Sequence, residues 1–296
     1  MNQSKCKATG DAPSEPKLIY RAETAEIWHA DSLRAEHVAA AMAARKANLL
    51  CVDAPYSGRT HSGHQNGKLT ADRAAAFGAR STNTARIRER NYSARKAALG
   101  ESGRRDIEYS AWTPADVRRF CDIWCPRTAG WIVTITDDVL APAWRTSLVR
   151  HGLYPFAPIP LVETGSRVRM AGDGPSGWTC WLVVARPRGE PFSSWGTLRG
   201  AYVVPGEREI NSTGGTDRVV GGKPLLAMQC IVADYSRRGD LCVDPCSGGG
   251  TTGRAAVAQG RRFIGIEKDP GRAELTVKAV SSVNLGQGEL FGEVGT

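Results

Sequence analysis

The sequence predicts an α/β fold built on a mostly parallel sheet with an antiparallel hairpin at its edge. Three observations carry this. Val243–Glu267 reads strand, glycine-rich turn, helix, strand, acidic residue, the βαβ logic of a nucleotide-binding unit. Ala25–His29, an alanine-rich helical stretch and Asn48–Val52 repeat the strand–helix–strand spacing, and such a unit closes as a right-handed crossover between parallel strands. Thr179–Ala185 (TCWLVVA) is rich in strand formers and follows the turn-rich Gly172–Gly177, which predicts a hairpin with the extended run Tyr154–Val162.

The elements follow in chain order. Met1–Pro16 is polar and is expected to be disordered. Lys17–Tyr20 is followed by Ala25–His29, a short strand candidate, and Asp31 or Ser32 is placed to cap a helix reaching Arg45. The apolar Asn48–Val52 (NLLCV) reads as a buried strand ending in the tight loop Asp53-Ala54-Pro55-Tyr56. Residues 57–110 are polar, and between Arg80 and Arg105 carry eight basic and two acidic side chains, a basic excursion from the domain. Thr113-Pro114 pairs an N-cap with proline at the first helical position, so a helix runs from there to about Trp124. Trp131–Thr136 (WIVTIT) is a strand closed by Asp137-Asp138, and Pro142–Arg150 a helix. Tyr154–Val162, interrupted by prolines, reads as an edge strand. Residues 187–221, rich in glycine, tryptophan and charge, form a small appended element. Lys223-Pro224 opens a helix to about Tyr235, and Leu241–Val243 leads into the glycine turn and a helix to Gln259. Arg262–Ile266 ends at Glu267, a last helix covers Gly271–Ser282, and 284–296 is a frayed tail. One domain over 17–296 accounts for these elements, a length that buries a sizeable core.

Composition narrows the partners. With 39 Lys and Arg against 30 Asp and Glu the net charge is +9, which favours an anionic partner such as nucleic acid. The eight cysteines include no Cys-X-X-Cys pair and follow no apolar leader. They are expected to be reduced thiols in a cytosolic protein, with no metal site. No apolar run approaches the length that spans a bilayer.

The glycine turn lacks the Gly-Lys-Ser/Thr of a phosphate loop. A nicotinamide nucleotide remains a rival ligand. Asp244, ending the first strand of the unit, suits a ligand carrying an ammonium group better than a pyrophosphate, and S-adenosylmethionine is such a ligand.

Asp244-Pro245-Cys246-Ser247-Gly248-Gly249-Gly250-Thr251-Thr252 resembles the cofactor motif of the amino-group DNA methyltransferases. Gly222-Lys223-Pro224-Leu225 upstream and Gly260-Arg261-Arg262-Phe263-Ile264-Gly265-Ile266-Glu267 downstream resemble the flanks of that motif. Asp53-Ala54-Pro55-Tyr56 resembles the family's Asp-Pro-Pro-Tyr catalytic motif, with alanine at the first proline. Catalytic motif before cofactor motif is the order of the β class, which has a circularly permuted, Rossmann-like methyltransferase fold. Ile27–Asp31 is then the third strand of the cofactor half, carried at the N-terminus.

The resemblance implies S-adenosylmethionine as cofactor, bound by Asp31, Lys223, Pro224, Asp244, Pro245, Cys246, Ser247, Gly248, Gly250, Thr251, Thr252 and Glu267, with Asp31 on the adenine amino group. It implies double-stranded DNA as substrate, with Asp53 and the Ala54 carbonyl accepting the two N–H groups of a flipped-out base, and Pro55 and Tyr56 completing the catalytic loop. An aspartate at the first motif position accompanies N6-adenine in this family, and N4-cytosine is the alternative. Arg86, Arg88, Arg90, Arg95 and Lys96 in the basic excursion, and Trp195, Arg199 and Arg208 in a short target-recognition element, are the candidate DNA contacts. A solitary methylase, one paired with a separate restriction endonuclease, and a homodimer all fit the resemblance, as does a cytoplasmic, nucleoid-associated location. RNA as substrate and a non-catalytic binding protein, which the alanine at position 54 would suit, are the other readings.

Overall fold

A computed structural model of the chain describes residues 13–60, 110–165, 177–189, 195–205 and 222–283. Ten strands make one sheet. They are β1 (Lys17–Arg21), β2 (Ala25–His29), β3 (Ala47–Asp53), β4 (Thr128–Thr136), β5 (Leu153–Pro155), β6 (Ile159–Thr164), β7 (Thr179–Pro187), β8 (Tyr202–Pro205), β9 (Leu241–Asp244) and β10 (Arg262–Glu267). The order across the sheet is β1-β2-β10-β9-β3-β4-β7-β6-β8, with β5 paired to β7 off this path. From β2 to β4 every neighbour is parallel. β7 turns antiparallel on β4, β6 antiparallel on β7, and β1 antiparallel on β2. The predicted parallel core and hairpin edge are both present.

Six α-helices cover the faces among the described residues. α1 (Ala35–Met42), α2 (Pro114–Trp124) and α3 (Ala141–Arg150) share one apolar cluster with Leu50, Val52, Ile132 and Ile264. α4 (Leu225–Tyr235), α5 (Thr251–Ala258) and α6 (Pro270–Ser281) share the other with Leu49, Cys51, Val133 and Phe263. Successive residues of a strand point to opposite faces, so a strand covered on both sides needs an unbroken apolar run. NLLCV in β3 is such a run, which is why the sequence shows it without alternation.

Three predicted boundaries move. The helix expected from Asp31 or Ser32 to Arg45 is shorter: Arg34 stands at its N-cap without a side-chain bond. Asp31 Oδ1 instead accepts the Leu33 N–H at 2.8 Å in a local turn. The helix stops at Ala43, whose φ of 48° lies in the left-handed region. The expected single edge strand Tyr154–Val162 is two strands, both paired to β7. The edge beyond them is β8, which lies within residues 187–221 and pairs parallel with β6. That stretch is therefore partly an integral strand; four residues with alternating burial carry too little periodicity to read from sequence. The second predicted helix holds: Thr113 and Asp116 form a capping box, with Pro114 at the first turn.

The seven described cysteines are free thiols. Among the described residues no helix is long and apolar enough to cross a membrane, and no three His, Cys, Asp or Glu side chains gather to hold a metal.

Candidate functional site

The site lies where four parallel strands end. Asp53 closes β3, Asp244 closes β9, Glu267 closes β10, and Asp31 follows β2 by two residues. The strands bring these ends together by direct pairing. Leu50 pairs with Val243, Gly265 with Asp244 and Glu267 with His29, and the Ala30 N–H donates to the Glu267 carbonyl at 2.9 Å. Crevices at the carboxyl ends of such a sheet are where open α/β folds take ligands.

Asp244 is 2% exposed. Its Oδ1 accepts the Cys246 N–H at 3.0 Å, and the Thr252 hydroxyl also bonds the carboxylate. Burial pushes its carboxyl up to about 7, helped by the nearby charges of Asp53 and Glu267, despite those hydrogen bonds. No cation among the described residues offsets the Asp244 charge, which fits a ligand that brings an ammonium or a sulfonium.

In the glycine turn, Gly248 donates its N–H to Glu267 Oε2 at 2.8 Å, and Glu267 Oε1 accepts the Asp269 N–H at 2.9 Å. A Cβ at Gly248 (φ 51°) would meet only the Cys246 carbonyl oxygen among the described residues, at an ordinary contact distance of 3.8 Å. Gly250 (φ 80°) is different: a Cβ there would lie 2.8 Å from the Thr276 Cα of α6. Packing against α6 therefore requires a glycine at position 250. The Ser247 hydroxyl is also turned inward, 3.2 Å from that of Thr276, which itself donates to the Gly248 carbonyl at 2.9 Å. Pro245 and Thr252 are buried, while Cys246 and Thr251 are half-buried. Burial pushes the Cys246 thiol well up, so it stays neutral.

The Asp53 side chain is 22% exposed and has two hydrogen-bond partners among the described residues. Tyr56 donates its hydroxyl to Oδ1 at 3.3 Å, and Lys223 donates from Nζ to Oδ2 at 2.8 Å. The Lys223 ammonium also stands 5.1 Å from the Tyr56 ring centre. Lys223, grouped with the cofactor residues by the sequence, bonds the Asp53 carboxylate in the structure. Pro224 is buried at the N-cap of α4. Ala54 is buried and Pro55 half-buried.

Two further residues support the site and were missed. Asp137, at the end of β4, holds the chain just after Tyr56: its Oδ2 accepts the Ser57 N–H at 2.9 Å, the Ser57 hydroxyl at 2.5 Å and the Thr60 hydroxyl at 2.6 Å. Burial alone would raise this carboxyl, but the bonds from Ser57 and Thr60 and the Leu140 N–H hold it below its ordinary value. A carboxylate at a strand end was its only signal in the sequence. His37, fully buried in α1, accepts the Asp31 N–H on Nδ1 at 3.1 Å and fixes the loop after β2. In sequence a histidine on an apolar helix face carries no such hint.

The candidate DNA contacts divide. Arg86, Arg88, Arg90, Arg95, Lys96 and Arg208 lie outside the described residues. Trp195 packs edge-on to Trp131 at 5.6 Å, with the Arg237 guanidinium 3.7 Å from its ring centre. Arg199 pairs with Asp234, which also accepts the Tyr202 hydroxyl at 2.7 Å. Trp131 begins near the amino end of β4 and Asp234 lies at the far end of α4 from Lys223. Both candidates therefore stand on the side of the sheet opposite Asp53. The described chain around 61–109, by contrast, leaves and returns at the Asp53–Tyr56 loop, with Ser57 bridged to Trp112 and the Trp112 N–H donated to the Tyr56 carbonyl at 3.0 Å.

Comparison with known proteins agrees with this geometry. Residues 89–278 match the N6/N4 methyltransferase family, described as DNA methylase. The type II methyltransferase M.BglI of Bacillus subtilis is 34% identical over 93 residues, 31% of this chain and 25% of that protein. The DNA adenine methyltransferase YhdJ of Escherichia coli strain K12 is 47% identical over 45 residues, 15% of each chain. The matches thus span a quarter or less of these relatives. The crystal structure of the M1.HpyAVI–SAM complex aligns with 86% of this chain and 98% of its own at a TM-score of 0.54 and 16% identity, a likeness of fold.

Proposed function

The chain belongs to the DNA methylase family, and we propose that it transfers a methyl group from S-adenosylmethionine to the N6 amino group of adenine in double-stranded DNA. The observation that carries this reading is the pairing of β3 with β9. It sets the Asp53-Ala54-Pro55-Tyr56 loop beside the glycine turn, with Asp53 reaching past Asp244 on the same side of the sheet. The aspartate at the head of that loop favours adenine; N4-cytosine is the alternative.

The residues fit the cofactor. Asp244, buried and short of a cation, would hold its positive end, while Glu267 would accept from ribose hydroxyls and Asp31 from the adenine amino group. When bound, S-adenosylmethionine supplies an electrophilic methyl group. An exocyclic base amine is a poor nucleophile because its lone pair is delocalised into the ring. Asp53 and the Ala54 carbonyl, accepting its two N–H groups, would favour the pyramidal amine and stabilise the positive charge that develops on nitrogen. Alanine supplies the same carbonyl as proline and gives up only some loop rigidity, which the Asp137 bonds to Ser57 and Thr60 offset. The base must leave the duplex to reach this loop, and Tyr56 offers a ring on which it can stack. Cys51 and Cys246 are buried or half-buried thiols with raised pKa, and the in-line transfer needs neither as nucleophile.

The test is to incubate purified protein with unmethylated duplex DNA and S-adenosylmethionine, digest the DNA and quantify methylated nucleosides by mass spectrometry, with Asp53→Ala beside it. N6-methyladenine from the parent and none from the variant is the expected result. N4-methylcytosine would keep the mechanism and change the base. No methylated base, despite measured cofactor binding, would leave a non-catalytic binding protein.

A further inference from the structure

We propose that Lys223 is a positioning residue for Asp53: its ammonium holds Oδ2 of the carboxylate, so that Oδ1 is the oxygen presented to the target amine. The inference rests on the reading of Asp53 as the amine acceptor, and it assigns Lys223 a role the family motif does not give it. The bond is short, at 2.8 Å, and the Lys223 side chain is only 9% exposed. A lysine is rarely held so far from water unless paired. By contrast, among the described residues Oδ1 accepts the long 3.3 Å bond from Tyr56, which leaves acceptor capacity on that oxygen.

The surroundings explain why a cation is needed there. Asp53 faces the buried Asp244, and Glu163 of β6 stands near the Lys223 ammonium. Without a counter-charge this group of carboxylates would repel one another in a poorly solvated crevice. Burial would strip the charge from Lys223, but the Asp53 carboxylate, Cys180 and Glu163 together outweigh it, and the ammonium is held charged above its ordinary range. The Lys223 Nζ also stands over the Tyr56 ring, so one side chain fixes both the acceptor and the ring beside it. Lys223 immediately precedes the N-cap of α4, while Asp53 ends β3, 170 residues earlier. The pair therefore ties the catalytic loop to the helix that leads into the cofactor strand.

The experiment compares Lys223→Met and Lys223→Arg with the parent on duplex DNA, alongside calorimetric binding of S-adenosylmethionine without DNA. Lys223→Met is expected to lower kcat at saturating cofactor by about tenfold or more, with the cofactor Kd within about threefold, and Lys223→Arg to recover most of kcat. A cofactor Kd weakened about tenfold or more, with kcat within about threefold, would overturn the proposal and return Lys223 to the cofactor. If both quantities fall, or if the parent makes no methylated base (a failure of the methylation reading alone), the pair is judged by a double-mutant cycle. Urea midpoints of Lys223→Met, Asp53→Asn and the double variant are compared. Non-additive shifts uphold the pairing; additive shifts overturn the pairing and with it the proposal.

Discussion

A carboxyl held near neutrality by burial makes Asp244 a sensor of what occupies the pocket. Its folded-state value, about 7, lies above the ordinary carboxylate range. In the protein without ligand the neutral form is therefore favoured, and this group withdraws stability as pH rises from about 4 to about 7. Asp244→Asn keeps an acceptor for the Cys246 N–H and removes the charge. It is expected to raise the stability of the ligand-free protein at pH 8 by about 1–3 kcal/mol, against roughly 4 for the whole displacement, with the gain vanishing near pH 4. Urea titrations at the two pH values measure this; an equal gain at both would show that the charge is not its cause. The same substitution is expected to weaken S-adenosylmethionine binding, and in the parent protein binding at pH 6 should release protons, seen as a buffer-dependent enthalpy in calorimetry. Stability given up at a binding residue is the usual exchange between folding and function.

At the scale of elements, the glycine turn is governed as much by α6 as by any ligand. Gly250 combines a left-handed φ of 80° with backbone 2.8 Å from where a Cβ would stand, and that neighbour is the Thr276 Cα, which cannot rotate away. Gly250→Ala is expected to cost about 2–3 kcal/mol, from strain and overpacking together, and to weaken cofactor binding by shifting the Gly248 N–H away from Glu267. Chemical denaturation and calorimetry read the two effects; loss of affinity at full stability would assign the glycine to the ligand after all. The sequence marked the turn by its glycines but could not say which one serves packing, because the contact belongs to a helix 26 residues away. α1 teaches the same lesson. Asp31 is a good capping residue by type, yet its carboxylate closes a local turn and its N–H is taken by His37, so the helix begins four residues later.

The whole molecule presents its chemistry on one side. The strands β2, β3, β9 and β10 deliver Asp31, Asp53, Asp244 and Glu267 to the same end of the sheet, and the described chain leaves for residues 61–109 from that end. With a net charge of +9, this is the side on which we propose that DNA binds. Deleting residues 80–105, which removes eight basic and two acidic side chains, is expected to weaken duplex binding and reduce the slope of log K against log salt. Fluorescence anisotropy across a salt series checks this, and an unchanged slope would place the phosphate contacts elsewhere. Trp195 and Arg199, packed at the opposite side, are left out of that surface.

The sequence by itself determined the fold class, the parallel core and the identity of the two motifs. Those depend on short-range pattern: apolar runs of strand length, a glycine turn, an N-cap with proline at Thr113-Pro114 and acidic residues ending β3, β9 and β10. The tertiary structure alone decided which groups meet. Lys223 and Asp53 are 170 residues apart, Asp137 and Ser57 are 80 apart, and Ser247 turns to Thr276 rather than to the pocket. No local pattern encodes such pairs, because they follow from strand order and helix packing, and a side chain's hydrogen bonds go to whatever polar group the completed fold sets within reach.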